Sequence, residues 1–208
     1  MIKTVLFDMG GVVFVQDTAE AFRRFSAIGI DAGEYLGVYG QKGIFLDLES
    51  GRIDTETFRR ELSSLCGREL TQEEVQRCWL GFIDCIPSSR LDNLRLVRER
   101  YRVCLASNTN PYIMAYMRSG AFSGDGRGIG HWFDGQYCSY EMGVCKPRRE
   151  FFERIISSEG VDPSELLFID DSRKNIEAAE ALGIRGLWIE QNSDWMPELS
   201  EYLATQQP

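Results

Sequence analysis

Histidine is almost missing from this chain of 208 residues, which contains His131 and no other. A Ser-His-Asp triad needs a correctly placed histidine and a multi-histidine zinc site needs several, so both are nearly excluded. The chain also lacks Cys-x-x-Cys pairs, although it has six cysteines. Because we find no secretory signal sequence, we expect these cysteines to be free thiols in a reducing cytoplasm.

Basic residues are outnumbered by acidic ones and long apolar runs are missing, and both facts limit the kinds of partner that the chain could bind. Lys and Arg number 23 against 32 Asp and Glu, which gives a net charge of −9. Nucleic acids and anionic membranes are bound by clusters of basic residues, so we expect neither as the main partner. No apolar run approaches the roughly 20 residues of a membrane span. Hydrophobic residues still make up 43% of the chain, enough for one domain with an insertion.

The chain does contain an alternation of short apolar runs and amphipathic segments. Strands are predicted near 5–7, 101–106, 135–139, 166–169 and 184–189, mostly with helices between them. This alternation predicts an α/β fold with a doubly wound, Rossmann-like parallel sheet. Residues 16–86 instead show helical patterns and no clear strand, over a length of about 70 residues that exceeds a simple crossover. We therefore predict an all-helical cap at 16–86 inserted into a core of residues 1–15 and 87–208.

A carboxylate stands where the first predicted strand ends. Asp8 follows the apolar residues 5–7 and is followed closely by Gly10 and Gly11. Aspartate is a poor strand former, and the glycines allow the backbone to turn tightly. Ligands of open parallel sheets bind at the carboxyl ends of the strands, so Asp8 is the first candidate for chemistry.

Hydroxyl and lysine side chains occur at two other element ends. Ser107 and Asn108 follow the second predicted strand of the sheet, and Lys146 precedes a helix that we expect to begin at Pro147. The first two are either turn residues or ligands of a phosphate oxygen. Lys146 is either a solvated surface charge or, because a cation at a helix start is unfavourable, the partner of a nearby anionic site.

Adjacent carboxylates, Asp170 and Asp171, end the predicted strand at 166–169. They are either turn and cap residues or neighbours of Asp8 across the sheet. Two like charges about 4 Å apart repel by about 4 kcal/mol at an effective dielectric constant of 20. A divalent cation would remove that repulsion, and an oxygen-only donor set favours Mg²⁺ over zinc.

The order of these groups is more specific than any one of them. A carboxylate, a hydroxyl, a lysine and a carboxylate pair supply what phosphoryl transfer through an aspartyl-phosphate requires. The segments VLFDMGGVVF, LASNTN, GVCKP and LLFIDDSRKN resemble the four motifs of haloacid dehalogenase-like hydrolases. The resemblance covers nearly the whole chain. It is closer to the branch of small sugar-phosphate phosphatases that includes bacterial α-D-glucose-1-phosphate phosphatase.

The resemblance implies a role for each matching residue. Asp8 is the nucleophile, and Lys146 stabilises it and the transferring phosphoryl group. Ser107 and Asn108 bind phosphoryl oxygens. The residues that the resemblance assigns to Mg²⁺ are Asp8, the carbonyl of Gly10, Asp170 and Asp171, with the choice of direct ligand between the last two left open. Asn175 takes a supporting position.

Gly10 departs from the family pattern, because most phosphatases of the family carry there an aspartate that acts as general acid and base. Such a group accelerates reactions by about 10²–10⁴-fold. Water, substrate hydroxyls or a residue of the cap could replace it. The candidate side chains are Asp17, Asp47, Glu49 and His131. The segment 40–45 is either a contributor to specificity at the site or a plain turn.

The leading hypothesis is a Mg²⁺-dependent phosphomonoester hydrolase acting on a small phosphorylated metabolite, with a sugar phosphate favoured. One alternative is a hydrolytic dehalogenase of the same family, which needs no metal and for which the Asp170–Asp171 pair has no use. The other is a relative that binds phosphate and metal without turnover, with Gly10 as the lesion. Neither the exact substrate nor the oligomeric state follows from the sequence.

Overall fold

The computed structural model of the chain describes residues 1–37 and 41–205. Its strands are β1 (Thr4–Phe7), β2 (Val15–Gln16), β3 (Ile83–Cys85), β4 (Arg102–Ser107), β5 (Gly135–Cys138), β6 (Leu166–Asp170) and β7 (Arg185–Trp188). Its helices are α1 (Thr18–Ala27), α2 (Ala32–Tyr35), α3 (Gly43–Glu49), α4 (Thr55–Cys66), α5 (Gln72–Trp79), α6 (Ser88–Arg98), α7 (Pro111–Arg118), α8 (Ser139–Met142), α9 (Arg149–Glu159), α10 (Arg173–Glu180) and α11 (Met196–Thr205).

Five parallel strands form the central sheet in the order β5-β4-β1-β6-β7. The chain builds outward from β1 to β4 and β5, and then returns to the other side of β1 for β6 and β7. The order therefore reverses at β1, and a crevice opens at such a point in a doubly wound sheet. The predicted α/β fold is confirmed, and its ligand-binding edge lies at the carboxyl ends of β1, β4 and β6.

The sheet separates two apolar layers. Val5 and Phe7 of β1 face one layer, which α6, α7 and α11 cover, while Leu6 faces the other, which α9 and α10 cover. This division follows from the alternation of side chains along a strand. Every residue of β1 and β6 is buried, as expected for strands that are covered on both faces.

Helices α1 to α5 form a block that shares its apolar interior with the first of these layers. Four aromatic side chains fill the centre of the block. The ring centroid of Phe45 lies 5.1 Å from those of Phe25 and Phe58, and the ring centroids of Trp79 and Phe25 are 5.5 Å apart. Aromatic pairs at such distances stabilise a core beyond the area they bury. The division at 16–86 into a separate cap stays a prediction.

The structure adds a feature that the pattern did not indicate, at the two ends of the helical block. β2 and β3 pair antiparallel, with Val15 opposite Cys85 and Gln16 opposite Ile83. The chain therefore enters and leaves the helical block through one short ribbon. The sequence places one boundary of the cap at residue 16, inside this ribbon, and the other at residue 86, just after it.

Side chains cap the starts of two helices in the helical block. Asp54 caps α4 by accepting a hydrogen bond from Thr57 N–H at 2.8 Å, and Thr71 forms a capping box with Glu74 at α5. The helix expected to begin at Pro147 begins at Arg149 instead. No helix among residues 1–37 and 41–205 is long and apolar enough to cross a membrane.

Candidate active site

Asp8, Ser107 and Asp170 meet at one edge because parallel strands end together. Phe7 of β1 pairs with Ile169 of β6, so the next residues along the two strands, Asp8 and Asp170, are neighbours. The N–H of Asp8 donates to Ile169 O at 2.9 Å and continues the ladder by one residue. Ser107 ends β4 on the other side of β1. The convergence predicted for these three residues is therefore present.

The backbone turns sharply after Asp8, and Gly11 allows the approach of a second carboxylate. Its φ is +77°, in the region that favours glycine. A Cβ built on Gly11 would lie 2.6 Å from Oδ2 of Asp171. A side chain at position 11 would thus displace Asp171 from the site.

Lys146 lies at the centre of the carboxylates and is not a surface charge. Its side chain is 1% exposed. The three protons of Nζ are donated to Asp8 Oδ1 at 2.7 Å, Asp170 Oδ2 at 2.7 Å and Ala106 O at 2.8 Å. Because an ammonium group has three donors, all of them are used. Burial alone would lower the pKa of Lys146, but Asp170 and Asp8 outweigh it and raise that pKa above its usual value.

Asn108 holds the backbone of Lys146 through its side chain. Its Oδ1 accepts from Lys146 N–H at 2.7 Å, and its Nδ2 donates to Lys146 O at 2.9 Å. The amide is therefore committed to positioning the lysine, and any phosphate contact by Asn108 would have to use its backbone N–H. Sequence reasoning did not anticipate this pairing, because the two residues are 38 positions apart.

Asp170 is completely buried and held by several donors. Besides Lys146, it accepts from Ser172 N–H at 2.7 Å and from Asn175 Nδ2 at 3.1 Å on each oxygen. Burial raises the pKa of Asp170 to about 6 against the opposing charge of Lys146, and Asp8 adds to the rise. Its lone pairs are largely used by these protein donors.

A cluster of three carboxylates faces one lysine. Asp8, Asp170 and Asp171 each offer one oxygen, and these oxygens lie within 4.8 Å of one another. Burial, followed by the charges of Asp8 and Asp170, raises the pKa of Asp171 to about 7. The cluster therefore has more negative charge than Lys146 alone balances. Oxygen donors in this number and spacing fit a hard divalent cation.

A cavity of about 180 Å³ opens above this cluster. Its polar floor contains the predicted site residues Asp8, Gly10, Ser107, Asn108, Lys146 and Asp171. Part of its wall is apolar and comes from Trp79 and Phe82 at the end of the helical block, together with Phe14. The remaining polar lining includes Gln16, Gln41 and Glu49. The sequence had indicated Glu49 and, within the segment 40–45, Gln41, but it had not indicated Gln16.

Gln16 occupies the space beside Gly10. A Cβ built on Gly10 would overlap Oε1 of Gln16, whose Nε2 donates to Thr18 Oγ1 at 3.2 Å. The backbone of Gln16 is fixed by Asn192, which accepts from its N–H at 2.8 Å and donates to its carbonyl at 3.1 Å. An amide thus fills the place that a side chain at position 10 would take.

The structure separates the four side chains that were candidates for the missing acid. Asp17 caps α1 by accepting from Glu20 N–H at 2.9 Å, and Asp47 accepts from Arg52 Nε at 2.7 Å. The ring of His131 contacts Arg127 beyond the core helix α7. Of the four, only Glu49 lines the cavity formed by the described residues. In the segment 40–45, Gly40 lies outside the described residues, and Gln41 lines the cavity.

Comparison with known proteins agrees with this geometry. A family profile described as haloacid dehalogenase-like hydrolase matches residues 2–183. The chain belongs to the haloacid dehalogenase-like hydrolases. The resemblance inferred from the four motifs is confirmed.

Individual relatives cover nearly the whole length of this hydrolase. It is 41% identical to D-ribitol-5-phosphate phosphatase of Bacteroides thetaiotaomicron over 98% of this chain and 99% of that one. A solved structure described as a predicted HAD-like family hydrolase from Porphyromonas gingivalis has a TM-score of 0.94, at 40% identity, with both chains fully covered. A HAD family enzyme from B. thetaiotaomicron, solved with magnesium and inorganic phosphate, has a TM-score of 0.87 at 33% identity, covering 95% and 99% of the two chains.

Proposed function

We propose that this hydrolase is a Mg²⁺-dependent phosphatase that cleaves a small phosphorylated metabolite through an aspartyl-phosphate on Asp8. The observation that carries the proposal is the position of Lys146, buried between Asp8 and Asp170, whose oxygens cluster with an oxygen of Asp171. A relative named D-ribitol-5-phosphate phosphatase and another relative solved with magnesium and inorganic phosphate support it. The polar lining of the cavity suits a sugar or polyol phosphate.

The residues divide the work of binding and attack. Asp8 keeps one oxygen on Lys146, so its other oxygen is available to attack phosphorus. The hydroxyl of Ser107 and the N–H of Asn108 would bind phosphoryl oxygens at the carboxyl end of β4. Lys146 supplies positive charge that offsets the charge developing on Asp8 and the phosphoryl group.

We assign the direct metal contacts to Asp8, the carbonyl of Gly10 and Asp171. Asp170 instead holds Lys146, because its oxygens already accept from that lysine, Ser172 and Asn175. A magnesium ion held by these groups would supply positive charge to the phosphoryl oxygens. The carboxylate cluster needs such a cation, since Lys146 is its only close cationic partner among the described residues.

The helical block of residues 16–86 would act as a cap that closes the cavity over the substrate. Trp79 and Phe82 exclude water from one side, while Gln16 and Gln41 are placed to bind hydroxyl groups. We further propose a cytoplasmic location, which the six free cysteines support. The net charge of −9 supports a small metabolite, rather than nucleic acid or a membrane, as partner.

Release of inorganic phosphate tests the proposal. We expect release from D-ribitol 5-phosphate, hexose phosphates or p-nitrophenyl phosphate in Mg²⁺, and its loss in excess EDTA. Asp8→Asn should abolish turnover and retain the fold, because the amide oxygen can still accept from Lys146. Circular dichroism and the melting temperature serve as the fold control.

The same assay distinguishes the two alternatives. Metal-independent release of chloride from 2-chloropropionate, without release of phosphate, would identify a dehalogenase. Thermal stabilisation by Mg²⁺ and phosphate esters without any turnover would identify a binding protein. Undiminished activity of the Asp8→Asn variant would refute the assignment of Asp8 as the nucleophile.

A further inference from the structure

Proton transfer to the leaving oxygen has no obvious donor beside Asp8. Residue 10 offers only its backbone, and the space beside it is filled by the amide of Gln16, which does not titrate at ordinary pH. Among the described residues that line the cavity, the titratable side chains are Asp8, Lys146, Asp171 and Glu49. The first three belong to the nucleophile, its lysine and the metal site. Glu49 is the one that the proposed mechanism leaves unused.

We propose that Glu49 is the general acid and base of the reaction, protonating the leaving oxygen and then deprotonating the attacking water. The inference rests on the proposed phosphatase function and deepens it. It assigns to the helical block a proton donor that the sheet edge lacks. Glu49 is the last residue of α3, so the donor comes from the helical block, whereas Asp8 follows strand β1 of the sheet.

The backbone of Glu49 is fastened to the segments that carry Lys146 and Ser107. Its carbonyl accepts from Ser139 Oγ at 2.6 Å and from Cys145 Sγ at 3.6 Å. Ser139 Oγ also accepts from Thr109 N–H at 2.9 Å, and Cys145 immediately precedes Lys146. These hydrogen bonds therefore fix the end of α3 to the segments that follow β4 and precede Lys146. Such fixed placement is what a general acid requires.

The environment of Glu49 keeps it protonated near neutral pH. Its residue is 7% exposed, and burial raises the pKa of the carboxyl to about 8, against a hydrogen bond from Gln41. The charged groups that line the same cavity are Asp8, Asp171 and Lys146, and the thiol of Cys145 on the core contacts the backbone carbonyl of Glu49. A carboxylic acid with this pKa can give a proton at pH 7 and take one back.

Glu49 loses one proton and regains one proton in each turnover. As Asp8 forms its bond to phosphorus, the bond from phosphorus to the substrate oxygen breaks, and that oxygen takes the proton of Glu49 and leaves as an alcohol. The Glu49 carboxylate then removes a proton from water as the water oxygen bonds to phosphorus. The bond from Asp8 to phosphorus breaks, which releases phosphate and restores both the Asp8 carboxylate and protonated Glu49.

The test compares leaving groups in wild type and Glu49→Gln. The substrates are p-nitrophenyl phosphate, whose leaving group needs no proton, and D-ribitol 5-phosphate or the fastest alkyl phosphate of the release assay. We expect Glu49→Gln to lower kcat/KM for the alkyl phosphate by about 10²–10⁴-fold and to change it little for the aryl phosphate. Asp47→Asn is the matched control, since this carboxylate lies on the same helix and pairs with Arg52. It should leave both values unchanged.

The pH profile gives a second measurement that does not depend on a variant. In the wild type, kcat/KM for the alkyl phosphate should fall above about pH 8, and the aryl phosphate should lack this limb. Glu49→Asp should retain the limb, because it keeps a titrating acid, whereas Glu49→Gln should lose it. Equal losses of kcat/KM for both substrates in Glu49→Gln, or a wild-type profile that does not fall above about pH 8, would overturn the role of Glu49. Neither result would contradict the proposed phosphatase function. A wild type that releases no phosphate from any ester would overturn both.

Discussion

At the scale of single residues, Lys146 determines whether three carboxylates can share one buried edge. Its ammonium group contacts Asp8 and Asp170 at 2.7 Å each, with almost no exposure to water. In such a place, losing one partner leaves an uncompensated buried charge, which costs far more than losing an exposed ion pair. The same lysine therefore supports both the fold and the proposed chemistry.

Lys146→Met should lower the free energy of unfolding by about 3–5 kcal/mol in EDTA at pH 8. Lys3→Met is the matched control, because Lys3 pairs with Glu165 at 2.8 Å while its side chain is 61% exposed. The control should cost less than about 1 kcal/mol. Urea unfolding followed by tryptophan fluorescence measures both. Similar small losses in the two variants would mean that the carboxylates do not depend on the lysine for charge balance.

At the scale of elements, the sequence predicted most of the sheet, because each strand carries its own signal. Apolar residues 5–7, 103–106 and 166–169 stand directly before Asp8, Ser107 and Asp170, and the polar residue that follows each run marks the edge at which the strands end. Topology then brings these residues together without further information. The same reasoning could not indicate the ribbon of β2 and β3, since two or three residues are too few to show a period.

From the sequence alone, Glu49 was one of four candidates for the missing acid, and its position at the cavity could not be predicted. The reason differs from that for the β2–β3 ribbon. A helix pattern tells which face is apolar but does not tell where the end of the helix meets another part of the chain. That meeting depends on the contacts of Glu49 with Ser139 and Cys145, which are 90 and 96 positions away. Gln16 escaped notice for the same reason, because its position depends on Asn192.

Gly51 is the position at which the docking of α3 can be tested. Its φ is +68°, and a Cβ there would overlap the carbonyl oxygen of Tyr140 on the core. Gly67 is the matched control, with φ of +66° and nothing within 4 Å of its Cβ position. Alanine at either position should cost about 1–2 kcal/mol for the left-handed backbone. At Gly51 we expect about 1–3 kcal/mol more from the overlap.

Urea unfolding of the two alanine variants measures that difference. Gly51→Ala should also reduce kcat/KM for an alkyl phosphate, because the overlap would shift Glu49, which lies two residues before Gly51. Gly67→Ala should leave this kcat/KM unchanged. Equal stability and equal activity of the two variants would show that the contact of α3 with Tyr140 is not what holds the cavity wall.

At the scale of the whole molecule, a continuous apolar interior joins the sheet to the helical block, while the cavity between them stays polar on its floor. The groups buried around this cavity make the stability of the protein depend on pH. Three carboxyls there, Glu49, Asp170 and Asp171, have raised pKa values. Each of them binds its proton more tightly in the folded chain than in the unfolded one. The folded state is therefore favoured at lower pH by these groups and loses that advantage as they ionise.

Glu49 should contribute the largest single share of this loss between pH 5 and 8. Its carboxyl has a pKa of about 8 in the folded protein against 4.5 for an ordinary glutamate, so the stability it contributes is complete below pH 4.5 and declines up to pH 8. The decline is at most about 1.4 kcal/mol per pH unit. Glu49→Gln cannot ionise, so its free energy of unfolding should rise relative to that of the wild type across this window.

Urea unfolding at pH 5, 6.5 and 8 with EDTA present gives the difference between wild type and Glu49→Gln at each pH. The contributions of Asp170 and Asp171 are common to both proteins and cancel in that difference. Asp47→Asn should run parallel to the wild type, because Asp47 stays partly exposed beside Arg52. A Glu49→Gln curve that also runs parallel would mean that Glu49 is already ionised at neutral pH. It could then not donate the proton to a leaving alcohol, whatever its distance from the substrate.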